Sequence, residues 1–84
     1  MKVYYFTFRS VTLAQRGEGV LKGAGQHCTL ARTPRWMEER GCGYCLRIRP
    51  ADTLAAVERL RQAGAAFSKV YARTENGGVE ELRV

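Results

Sequence analysis

Two kinds of hydrophobic pattern alternate along the chain, period two in some stretches and helical spacing in others. Residues 2–9 are dense in aromatic and β-favouring side chains, with Tyr4, Phe6 and Phe8 on one face and Val3, Tyr5 and Thr7 on the other, which predicts a central strand. Val11, Ala14, Gly17, Val20, Leu21 and Ala24 then recur at helical spacing. Ser10 or Thr12 can cap that helix, Gly25 stops it, and two internal glycines weaken it. A short second strand follows over 27–32, with Cys28 and Leu30 pointing the same way, and then the longest loop, 33–43. Residues 44–49 alternate again, Leu46 and Ile48 opposing Cys45, Arg47 and Arg49, until Pro50 ends the strand. Asp52 suits the N-cap of a second helix with the stripe Leu54, Val57, Leu60 and Ala63, closed by Gly64. A fourth strand is expected over 67–74. Asn76-Gly77 is a hairpin-turn signal, so 79–84 should return as a fifth strand or lie against a partner.

The order β-α-β-β-α-β predicts an α+β fold, the ferredoxin-like split βαβ sandwich, with two helices on one face of an antiparallel sheet. In that topology the first and third strands are central neighbours. Parity places Tyr4, Phe6, Phe8, Cys28, Leu30, Leu46 and Ile48 under the helices. It leaves Tyr5, Thr7, Cys45, Arg47, Lys69, Tyr71 and Arg73 on the open face. Contiguous apolar exposure of Val3, Tyr5 and Tyr71 there would mark an interface, so a homodimer is expected.

Eighty-four residues make one small domain, near the size at which a single core needs a staple, a metal or a partner. No segment reads as a signal peptide or membrane span, which suggests the cytoplasm, where thiols stay reduced. The three cysteines cannot all pair within one chain. A formal net charge of +6 suggests an anionic partner, although many small basic proteins bind nothing anionic specifically.

The run Gly41-Cys42-Gly43-Tyr44-Cys45-Leu46-Arg47 carries the candidate chemistry. A thiolate is the nucleophile and the metal ligand, and nearby positive charge favours it; Arg35, Arg40, Arg47 and Arg49 supply that charge if the loop folds back. Glycines on both sides of Cys42 let another protein approach closely. Such a thiol can accept a terminal sulfur or selenium as a persulfide and pass it on. Cys45 could attack the loaded Cys42, releasing the chalcogen and leaving a disulfide. The plain alternative is a tight turn with two incidental cysteines. Cys28 reads as an inert core thiol. His27, the sole histidine, reads as a surface or satisfied side chain, and Trp36 as a partner anchor or a cap on the core.

The aromatic first strand, the Pro34-Arg35 pair, Cys42-Gly43 followed by a hydrophobic-Arg strand, and the second amphipathic helix resemble the small selenium/sulfur carrier-like domains over about residues 2–73. The resemblance implies a ferredoxin-like domain with Cys42 as carrier thiol and Pro34, Arg35, Gly43 and Arg47 around it. It implies cysteine desulfurases or other sulfur and selenium relay proteins as partners, and a carrier more than a turnover enzyme.

No P-loop, dinucleotide fingerprint or Ser/His/Asp set is present, so hydrolase and kinase readings have no support and no resident cofactor is expected. Two alternatives stay open. Tyr5, Tyr71, Arg47, Lys69 and Arg73 could form an RNA-stacking sheet face, although no RNP1 pattern stands on the third strand. A structural homodimer could instead share zinc between two CxxC pairs, each of which supplies only two of four ligands.

Overall fold

The computed structural model describes residues 3–33, 43–74 and 77–82. In chain order these form β1 (Val3–Thr7), α1 (Val11–Gly23), β2 (Thr29–Arg32), β3 (Tyr44–Ile48), α2 (Thr53–Gln62), β4 (Val70–Arg73) and β5 (Val79–Leu82), with a 3-10 turn at Pro50–Asp52 leading into α2. The strands make one sheet in the order β2-β3-β1-β4-β5, antiparallel at every junction. The central β3-β1 pairing and the α+β class are as the element order predicts. The four strands of the split βαβ arrangement are enlarged here by β5 at the β4 edge.

Strand parity sorts the side chains into two apolar groups. Phe6, Phe8, Leu46, Ile48 and Val70 pack with Ala14, Leu21, Ala56, Val57 and Leu60 of the helices, and Tyr4, Cys28, Leu30 and Leu82 lie against this core partly buried. Each fully buried Phe or Leu removes enough apolar surface to contribute about 1.5–3 kcal/mol, so this layer outweighs everything on the opposite face. There a smaller cluster consists of Tyr5 and Cys45, with Val3 and Tyr71 packed against it.

Ser10 caps α1, its hydroxyl accepting a bond from the Leu13 N–H at 3.2 Å. Both helices end in the same hydrogen-bonded motif. The Gln26 N–H donates to the Leu21 carbonyl and the Gly25 N–H to that of Lys22, while Ala65 and Gly64 repeat this pair on Leu60 and Arg61.

Four expectations are corrected. Asp52 occupies the N-cap position of α2 but makes no side-chain cap bond. The chain enters α2 through the 3-10 turn, which leaves Asp52 with helical rather than extended backbone angles, and its carboxylate turns back to Arg49 Nε at 3.1 Å. Leu54 is 79% exposed, because the buried stripe runs through Thr53, Ala56, Val57 and Leu60 instead. The second strand begins at Thr29, not His27. The fourth begins at Val70 rather than Phe67; Ser68 and Lys69 still hydrogen-bond Thr7, and Phe67 meets the Phe6 ring edge-on at 5.2 Å between centroids. The loop residues Pro34–Cys42 and the turn residue Asn76 lie outside the described residues.

Candidate functional site

The β2-β3 connection is fixed at its base by one backbone hydrogen bond, from the Thr33 N–H to the Gly43 carbonyl at 2.9 Å. Gly43 has φ +80°, a left-handed conformation that costs an L-residue roughly 1–2 kcal/mol. A Cβ there would meet nothing within 4 Å, so backbone conformation rather than space calls for glycine. Cys42, Pro34 and Arg35, together with Trp36 and Arg40, belong to the connection that lies outside the described residues.

Cys45 sits two residues into the site, on β3, opposite Thr7 on one side and Ala31 on the other. Its parity is the expected one, away from the helices, but its exposure is not: Cys45 is 0% accessible. Tyr5, central to the same face, is 8% accessible. Of the apolar surface expected of Val3, Tyr5 and Tyr71, Tyr5 is therefore withdrawn from solvent, while Val3 and Tyr71 are partly buried.

Cys28 shows the reverse. It packs against the core beneath α1 but is only half-buried, with its Sγ donating to the Glu18 carbonyl at 3.9 Å. Burial pushes its thiol pKa up, the Glu18 carboxylate adds to the rise, and Lys22 opposes it. Lys22 and Glu18 are themselves paired at 3.2 Å. Burial therefore keeps Cys28 in the protonated, unreactive form.

The structure does not bring Arg47 to Gly43. Arg47 is exposed on the same sheet face as Cys45 but four residues along β3 from Gly43, roughly 13 Å at the rise of a strand. Arg49 lies farther still and is engaged by Asp52 through Nε and Nη2, both at 3.1 Å. The described cations nearest the loop base in register are others. Arg32 pairs with Tyr44 across β2-β3 and holds its guanidinium 5.8 Å from that ring's centroid. Lys69 is bonded to Thr7, whose hydroxyl accepts its N–H at 3.1 Å, and its Nζ lies 3.6 Å from Glu81. Sequence proximity to the cysteines favoured Arg47. The antiparallel register favours Arg32, and counting back from the two ends of the loop would have found it.

His27 is exposed on the connection between α1 and β2. Among the described residues no group of three His, Cys, Asp or Glu side chains is arranged to hold a metal ion, and no helix is long and apolar enough to cross a membrane.

A family model described as "Putative Se/S carrier protein-like" matches residues 3–72, from the start of β1 to Ala72 in β4, and leaves β5 outside. No curated protein matches the chain, and no solved structure does.

Proposed function

Because the chain belongs to the selenium/sulfur carrier-like family, we propose that it works as a thiol carrier, with Cys42 as the atom that is loaded and unloaded. In loading, the Cys42 thiolate attacks the terminal chalcogen of a donor persulfide or selenopersulfide. The new bond to Cys42 Sγ forms as the donor bond breaks, and the donor cysteine leaves as a thiolate, so the transfer is redox-neutral. Delivery repeats the step on an acceptor nucleophile, with Cys42 as the leaving thiolate. The observation that carries this reading is the family match across 3–72, which includes the Cys42-Gly43 pair.

The burial of the other two cysteines supports the same choice. A donor protein must place its own cysteine against the receiving thiol, and neither the enclosed Cys45 nor the half-buried, protonated Cys28 suits that approach. Cys45 takes the second role. Its thiolate attacks Cys42 Sγ, expels hydrosulfide or hydroselenide, and leaves a disulfide that a cellular thiol reduces. Because Cys45 is enclosed, that step requires the start of β3 to open. Partners are donors of the cysteine desulfurase class and chalcogen acceptors, in the cytoplasm. Of the open-face aromatics and apolar residues on which a homodimer or base stacking would rest, Tyr5 is 8% accessible, while Val3 and Tyr71 stay partly exposed.

Intact mass measured without reductant, after incubation with a cysteine desulfurase and cysteine, tests the proposal. One added sulfur, removed by dithiothreitol, is expected on the wild type and on Cys45→Ser, with slower release from the latter, and none on Cys42→Ser. A wild type that gains no sulfur, or a Cys42→Ser variant that gains as much, overturns it.

A further inference from the structure

At the end of β3 remote from Gly43, a groove of about 520 Å³ opens where Val3, Thr29 and Arg47 face away from the helices. Its volume falls within the usual range for small-ligand sites. Three neighbouring strands build it, since Thr29 of β2 stands opposite Arg47 of β3, and Val3 belongs to β1. The turn Arg49-Pro50-Ala51 forms its wall. Val3, Pro50 and Ala51 give it an apolar floor and side, and Ile48, whose side chain is buried under the helices, borders it through its backbone.

The polar groups in it are few and converge. The Arg47 side chain is exposed and has neither an ion pair nor a hydrogen bond among the described residues, and the Thr29 hydroxyl likewise has no partner there. As directly opposed residues on adjacent strands their Cβ atoms lie about 4.5–5.5 Å apart, close enough for both to reach one ligand group. The second guanidinium, Arg49, is already neutralised by Asp52. One uncompensated positive charge therefore remains in the groove, on a side chain whose planar fork matches a carboxylate.

We propose that this groove binds a small organic monocarboxylate, its carboxylate on Arg47 and Thr29 and its apolar body against Val3, Pro50 and Ala51. A dianion such as a phosphate ester would leave charge unmatched, and a neutral ligand would leave Arg47 without the partner for which it is placed. The site is independent of the thiol, so either reading can fail alone.

The test is an NMR titration of the full chain with sodium benzoate, taken against sodium chloride at equal ionic strength, with benzamide and phenyl phosphate as further arms. Expected are saturable shifts confined to Val3, Thr29, Arg47, Ile48 and Ala51, none with benzamide, and weaker binding of phenyl phosphate. Arg47→Gln should weaken benzoate at least about tenfold, the loss of a charge-assisted hydrogen bond. Arg47→Lys keeps the charge without the fork and should fall between, which preserves the test if Arg47→Gln does not fold. Unsaturable shifts spread over the basic surface, equal response to benzamide, tighter binding of phenyl phosphate, or unchanged affinity in the arginine variants would each overturn the proposal.

Discussion

At Gly17 the methyl group of an alanine would come within 3.0 Å of Phe8 Cζ and 3.3 Å of Leu46 Cδ1, whereas at Gly19 it would meet nothing within 4 Å. Both positions lie inside α1, where Ala is favoured over Gly by about 1 kcal/mol. Phe8 and Leu46 are fully buried and cannot swing away, so overpacking of about 1–3 kcal/mol outweighs that gain at Gly17. Gly19→Ala should therefore raise the urea midpoint and Gly17→Ala lower it. Gly43→Ala should also lower it, because backbone strain there costs roughly 1–2 kcal/mol. Among the thiols, Cys42 should alkylate first in the folded protein, with Cys28 and Cys45 following at its rate only in denaturant. Cys28 also makes a pH prediction. Its folded pKa is raised, so above the ordinary thiol value of about 8.5 the unfolded chain has released a proton that the folded chain retains. Stability from this group is complete below that pH and declines as pH rises past it, and Cys28→Ala should show a shallower alkaline decline in denaturation midpoints.

The elements differ in how they are held at their ends and edges. Ser10 makes a true cap bond and Asp52 does not, so Ser10→Ala should cost about 1 kcal/mol. Asp52→Ala should cost less, because it removes an ion pair to an exposed Arg49. Paired thermal melts of the two variants distinguish these cases. β5 tests the role of the fifth strand. Leu82 stands opposite Val70 and packs on the main core, while Glu80 and Glu81 beside it are exposed. Leu82→Ala should destabilise by about 1–2 kcal/mol, below the range for a fully buried leucine, whereas Glu80→Ala should change little. Equal midpoints for the two variants would mean that β5 does not contribute to the core in solution.

Across the whole molecule the sheet places β1 and β3 at its centre and leaves β2 and β5 at its edges. Native-state hydrogen exchange should therefore be slowest at Phe6 and Leu46, approaching the global unfolding free energy, and fastest in β2 and β5. The order of elements through the fourth strand, the helix-side faces of Tyr4, Phe6, Leu30, Leu46 and Ile48, and the helix stops at Gly25 and Gly64 were all legible in the sequence, because period and stop signals are local properties. Leu54 and Asp52 differ from the reading for separate reasons. The buried face of α2 centres on Thr53, Ala56, Val57 and Leu60, which turns Leu54 aside, and the turn at Pro50–Asp52 gives Asp52 helical angles that deny it a cap bond. The candidate thiol run was likewise visible as a run of residues, with Cys42-Gly43 at its centre. What surrounds it was not. Register alone sets Arg32 beside the loop base and Arg47 in a groove at the opposite end of β3, and packing across strands encloses Cys45 while leaving Cys28 half-open. Spacing along a chain records which face a side chain takes, but its neighbours across a sheet belong to distant segments, and only the tertiary fold decides which of them meet.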